Sequence, residues 1–125
     1  MKAVVIGDGA AGLAAVKAFR KYDKASQITV VSKEGGEAYS RVLLPYVLRG
    51  KLSYDKLFLP FAKEFGKLGV EYIEGEAVSL DAAANTLSLA GGEKLAYDNI
   101  LIASGSSALW PPVKGITQPG IYHLW

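Results

Sequence analysis

Short, mainly apolar segments rich in β-branched residues recur along the chain: Ala3–Ile6, Ile28–Ser32, Val70–Glu74 and Ile100–Ala103. Runs that are apolar at successive positions, not at alternate ones, suit strands buried on both faces, as in a parallel sheet. Between the first two runs the period changes. Leu13, Val16, Phe19 and Tyr22 recur near helical spacing, and Lys17, Arg20 and Lys21 are expected to turn away from the core. This predicts a helix over 10–22, with basic residues in its last turn complementing the helix dipole. Residues 35–53 carry no clear period, apart from a short helix expected around Pro45–Arg49. Ser53 and Asp55 are suited to capping a helix that runs through Phe61, Phe65 and Leu68 and stops at Gly69, although Pro60 also fits a start near Leu59. After the third run the pattern alternates with period two: Val78 and Leu80, then Leu87 and Leu89, then 93–97 beyond the Gly91-Gly92 turn. That is the signature of an antiparallel meander. Past Gly105, Trp110-Pro111-Pro112 and Pro119-Gly120 mark extended, non-helical chain.

At 125 residues the chain has the size of one domain, and 50% hydrophobic against 21% charged residues is a globular balance. The formal net charge of +2 leaves no footprint for a nucleic acid or an anionic membrane. With no cysteine, the chain itself supplies no disulfide, thiolate metal site or thiol nucleophile. One histidine and one methionine offer little to a metal, and none is expected. The longest apolar stretch, Ala3–Val16, is interrupted by Asp8 and by Gly7, Gly9 and Gly12. It is expected neither to span a bilayer nor to serve as a secretory leader, so the chain is read as cytoplasmic.

The strongest chemical signal is Gly7-Asp8-Gly9-Ala10-Ala11-Gly12. The GxGxxG pattern alone is weak, but here it follows a predicted strand and opens a predicted helix, the context a dinucleotide site requires. Gly7 would allow the tight turn, Gly9 the approach of a pyrophosphate to the backbone, and Gly12 close packing of the helix on the strand. The first amides of the helix, with its positive dipole end behind them, would face the phosphates. Glu34, just after the second strand and about twenty residues past Gly12, stands where an acid is expected to accept hydrogen bonds from ribose hydroxyls. Glu37 is a rival for that role. These features fit NAD or FAD. The expected fold is α/β: a Rossmann-like parallel sheet with flanking helices and an antiparallel β-meander, with the meander replacing the further strand–helix units of a simple NAD domain.

Together with Glu34, Tyr39-Ser40-Arg41-Val42-Leu43-Leu44 and Tyr97-Asp98-Asn99-Ile100-Leu101-Ile102-Ala103-Ser104-Gly105-Ser106, the glycine motif resembles the FAD-dependent pyridine nucleotide-disulfide oxidoreductase family. The similarity covers nearly the whole chain and is nearest to the NADH-dependent branch of rubredoxin and ferredoxin reductases, NADH oxidases and the nitrite reductase large subunit. The resemblance implies FAD as cofactor and NAD(P)H as substrate of the parent enzyme. It implies that Glu34 holds the adenosine ribose and that Arg41 lies beside the flavin or its pyrophosphate. Ala77 and Val78 would meet the adenine through backbone groups, and Ala103, Ser104 and Gly105 would form the family's Ala-Thr-Gly turn against the cofactor, with Ser104 keeping the hydroxyl.

Two departures matter. Where disulfide-reducing relatives carry cysteines, this chain has Leu43-Leu44-Pro45-Tyr46, so the implied electron acceptor is an external carrier, rubredoxin- or ferredoxin-like, or oxygen. The family's FAD domain is also discontinuous, so residues 1–125 are expected to be the N-terminal part of an FAD-binding domain from a longer two-dinucleotide reductase. Apolar surface around Ile102, Leu109 and Trp110 is then expected to be open and to favour a homodimer. No catalytic residue is assigned, and His123 is read as a linker residue. Two rival readings remain at this stage: an NAD-binding dehydrogenase domain without flavin, and a non-catalytic nucleotide-binding module.

Overall fold

A computed structural model describes residues 1–60 and 65–122. The apolar runs form strands β1 (Lys2–Ile6), β2 (Gln27–Ser32), β3 (Val70–Glu74) and β7 (Asn99–Ile102). They build one parallel sheet in the order β3-β2-β1-β7, with Val4 opposite Thr29 on one side and Ile100 on the other. Helix α1 (Ala10–Tyr22) crosses from β1 to β2, and the short helix α2 (Leu44–Leu48) follows a 3₁₀ turn at Arg41–Leu43. The meander forms a second sheet, β4 (Ala77–Asp81), β5 (Thr86–Leu89) and β6 (Lys94–Ala96), antiparallel throughout.

Alternate side chains of the parallel sheet feed two cores. Ala3, Val5, Ile28 and Val30 meet Leu13 and Val16 of α1 on one face. Val4 and Val31 meet Leu87, Leu89 and Tyr97 of the meander on the other. The fold is therefore helix, sheet, sheet, with the meander covering the face opposite α1.

Several expectations are corrected. Arg20 is buried, not turned away, and Tyr22 is exposed instead. The guanidinium explains the exchange. Its Nε donates to Leu68 O at 2.7 Å, and its Nη atoms donate to Ser26 O at 2.6 Å and Gly69 O at 2.9 Å, so one fork ties the end of α1 to the turns before β2 and β3. β7 is an edge strand with Leu101 and Ile102 exposed, not a strand buried on both faces, because only β1 pairs with it among the described residues. Val78 and Leu80 of β4 likewise face outward, and the register of β4 shifts between Ala77 and Ser79. No single helix starts at Ser53: residues Tyr54–Leu57 form a 3₁₀ turn and Phe58 is extended. The expected helix near Phe61 falls on 61–64, and His123 on 123–125, outside the described residues. Gly69 does end a 3₁₀ turn in the left-handed conformation that a glycine adopts without strain. Among the described residues no helix is long and apolar enough to cross a membrane.

Candidate dinucleotide site

The chain leaves β1 toward β2 and β3 and returns to the other side of β1 as β7, so the sheet's topological switch lies between β1 and β7. Ligands of open α/β sheets bind at the carboxyl ends of the strands at such a point. A cavity of about 410 Å³ opens there. It is lined by Gly7, Asp8, Gly9, Ala10 and Ala11 from the first loop, Glu34 and Arg41 from the segment after β2, Ala77 from β4, and Ala103, Ser104 and Gly105 after β7. Gly12 lies beneath this wall, and Val78, more than half exposed on β4, is also outside the lining. Glu37 does not border the cavity either, which leaves Glu34 as the acid of that loop facing it. Ser32, Lys33, Gly75 and Glu76 line it too and were not anticipated. Their signal was available, since each sits at the carboxyl end of a strand in the parallel sheet.

The three glycines are set apart by what a side chain would meet. At Gly7, with φ of +101°, a Cβ would sit 2.3 Å from Ala103 O. At Gly12 it would sit 2.0 Å from Gly7 O. At Gly9 the nearest group is Arg41 Nη1, 3.8 Å away. Gly7 and Gly12 are thus required by the protein's own backbone, whereas Gly9 fronts open space. Gly9 also caps α1 without any side-chain hydrogen bond, and no acid occupies the first turn. The amides of that turn and the positive end of the helix face the cavity uncompensated by the cap residue, a setting suited to an anion. A side chain absent where a Cβ would intrude, free amides and a nearby guanidinium fit a dinucleotide pyrophosphate.

Glu34 and Arg41 form an ion pair, and Tyr39 donates its hydroxyl to the second carboxylate oxygen of Glu34 at 2.9 Å. The Arg41 guanidinium also lies 5.3 Å from the Tyr39 ring centroid. Burial, then the bond to Glu34, pushes the Tyr39 hydroxyl pKa up, so it acts as a donor at neutral pH. The two residues expected to serve ribose and pyrophosphate separately therefore start as partners. The pair is partly exposed, with side chains 40% and 30% accessible, and pairs of that kind contribute only about 0–1 kcal/mol. Each carboxylate oxygen of Glu34 keeps a lone pair for a ribose hydroxyl. Tyr54 packs edge-on against Phe58 at 5.3 Å, which gives it a structural place away from the cavity lining.

Comparison with known proteins bears on the family and the fold. The family model "Pyridine nucleotide-disulphide oxidoreductase" matches residues 1–124. The epsilon subunit of the NADH-dependent phenylglyoxylate dehydrogenase of Aromatoleum evansii is 36% identical over 124 residues, covering 98% of this chain and 29% of that protein. The NADH oxidase of Methanocaldococcus jannaschii is 30% identical over 131 residues, again 29% of its length. Among solved structures, an NAD-dependent persulfide reductase from A. fulgidus superposes with a TM-score of 0.87 at 32% identity, over 99% of this chain and 25% of that one. The chain thus spans less than a third of the length of these relatives.

Proposed function

The chain belongs to the pyridine nucleotide-disulphide oxidoreductase family, whose members bind FAD and use NAD(P)H, and from that premise we propose that it is the FAD-binding portion of an NAD(P)H-dependent flavoprotein oxidoreductase. In this reading residues 1–125 are the N-terminal part of the FAD domain of a longer two-dinucleotide enzyme. The observation that carries the proposal is the open space over Gly9 at the uncapped start of α1, beside Arg41.

FAD, when bound, supplies the redox chemistry, and the protein supplies binding, orientation and electrostatics. The amides at the start of α1, from Ala10 to Gly12, would hold the pyrophosphate, with Arg41 beside them. Glu34 accepts the adenosine ribose hydroxyls, with Tyr39 fixing the carboxylate from behind. The backbone of Ala77, which lines the cavity, would serve the adenine, while Val78 stands outside the lining. The Ala103-Ser104-Gly105 turn, which lines the cavity on the β7 side, would meet the cofactor, with the Ser104 hydroxyl offered as a polar contact. With no cysteine in the sequence, this chain provides no thiol relay, which favours an external electron carrier of the rubredoxin or ferredoxin type, or oxygen, as acceptor. Exposed Ile102, Leu109 and Trp110 support self-association of the isolated chain.

Titration calorimetry of the purified chain with FAD, ADP and NAD tests the reading. ADP and FAD are expected to bind with similar, modest affinity, because the contacts named lie mainly on the ADP half of FAD, and Gly9→Val is expected to abolish both. NAD binding tighter than FAD would favour the dehydrogenase reading. Absence of ADP binding at millimolar concentration would overturn the site.

A further inference from the structure

The glycine pattern explains three of the residues from Gly7 to Gly12 and leaves Asp8 without a task. A carboxylate in a loop meant for a pyrophosphate is electrostatically adverse, so its presence needs a reason. Asp8 Oδ1 accepts a hydrogen bond from Ser32 Oγ at 3.0 Å, and Oδ2 accepts one from the Tyr72 hydroxyl at 2.9 Å. Ser32 is buried at the carboxyl end of β2, and Tyr72 lies in the middle of β3. The Tyr72 ring stacks on Phe65, centroids 5.9 Å apart, and packs against the core under α1. Both donors are therefore fixed by elements other than the loop. Burial above all, with the bond to Asp8 adding to it, pushes the Tyr72 pKa up to about 12, so the hydroxyl keeps its proton.

We propose that Asp8 is a positioning residue: its carboxylate ties the first loop to β2 and β3 and thereby holds the amides at the start of α1 where a pyrophosphate takes them up. The two neutral hydroxyls occupy both oxygens and blunt the charge that the loop would otherwise present to the anion. The proposal rests on the dinucleotide reading. It goes beyond that reading by giving the loop's geometry to a side chain whose two oxygens are both engaged by the protein's own hydroxyls, where the glycine pattern leaves the position open.

A view of Asp8 as a bare charge makes the opposite prediction. Removing an acid beside an anion site should then tighten binding. The test compares Asp8→Ala, Tyr72→Phe and the double variant in the 125-residue chain, with ADP affinity by calorimetry and amide hydrogen exchange at residues 9–13. Asp8→Ala is expected to weaken ADP about tenfold, the scale of a lost hydrogen bond to a charged group, and to speed exchange in the loop while the core strands stay protected. Tyr72→Phe, which keeps the ring packing, should weaken ADP by a smaller factor, and the double variant should be no worse than Asp8→Ala. Unchanged or tighter ADP binding in Asp8→Ala overturns the proposal, as does unchanged exchange at residues 9–13. Failure of the parent chain to bind ADP overturns the dinucleotide reading instead, and the tether is then decided by the exchange data alone.

Discussion

Alanine at each of the three glycines should separate folding from binding. At Gly7 an alanine would be held at φ of +101° and its Cβ would lie 2.3 Å from a backbone oxygen. The conformation costs roughly 1–3 kcal/mol, and the forced displacement of Ala103 a further 1–3 or so. Gly7→Ala should therefore destabilise by about 2–6 kcal/mol. At Gly12 the clash, 2.0 Å to Gly7 O, is as severe, but φ is helical and alanine regains about 1 kcal/mol of helix propensity. A net loss of roughly 1–2 kcal/mol is expected. At Gly9 the backbone is extended at φ −68° and the space is open, so Gly9→Ala should cost about 1 kcal/mol or less, the preference for glycine over alanine at a helix N-cap. Its Cβ would nonetheless stand where phosphate oxygens approach. Urea unfolding with linear extrapolation measures the first quantity, and ADP calorimetry the second. The expected result is that Gly7→Ala loses the most stability, and that Gly9→Ala keeps most of its stability but loses ADP. A Gly9→Ala chain that unfolds as easily as Gly7→Ala, or one that binds ADP like the parent, would refute the reasoning.

Glu34→Ala should weaken FAD or ADP by roughly 1–3 kcal/mol through lost bonds to the ribose, with Glu37→Ala silent; calorimetry that shows the reverse would move the role to Glu37. Arg20→Met should lower stability by about 2–4 kcal/mol in urea unfolding, because carbonyls of two separate turns lose one charged donor. Asp23 is held down to a pKa of about 2 by hydrogen bonds from the Ser26 side chain and from the amides of Ser26 and Ala25; a depressed carboxylate stabilises the fold above its unfolded value near 4 and loses that effect as pH falls toward 2, so Asp23→Asn should flatten the melting temperature between pH 4 and 2. NADH-dependent dye reduction by the 125-residue chain with added FAD should stay near the rate of free FAD, since orientation worth roughly 7–11 kcal/mol requires NADH to be held against the flavin.

The parts of the fold that were legible were those set by local pattern. The runs at 3–6 and 28–32 became β1 and β2 because β-branched residues dominate them and no charge interrupts them, and Leu87 and Leu89 became the meander's core face because serine and threonine alternate with them. The misreadings share a cause. Helical spacing turns Arg20 to solvent, but its fork finds carbonyl acceptors in turns near positions 26 and 68, and no helical period encodes those. The run at 100–103 was read as buried on its apolar content, yet burial depends on how many strands and helices reach it, and β7 takes the edge. Tyr54–Leu57 failed to open a longer helix because Phe58 extends to bridge Tyr39, a pairing between segments without any period of their own.

The same division runs through the site. The glycine loop was legible because its residues are contiguous and each is constrained by backbone geometry that a one-letter pattern records. The electrostatics were not, because they arise from pairings across distance. Asp8 meets hydroxyls 24 and 64 residues away, brought to it only by the register that sets Ser32 against Glu74 and Val30 against Tyr72. Glu34 and Arg41 are close in sequence, but Gly35 and Gly36 between them both take positive φ, and that turn decides whether the two charges meet. A carboxylate within a glycine motif therefore has no fixed meaning in the sequence: unpaired it would repel a phosphate, and tied to two strands it can hold the amides that bind one. Which of these Asp8 does is a property of the sheet beneath the loop, so substitutions at Ser32 or Tyr72 should change the behaviour of a motif they do not belong to.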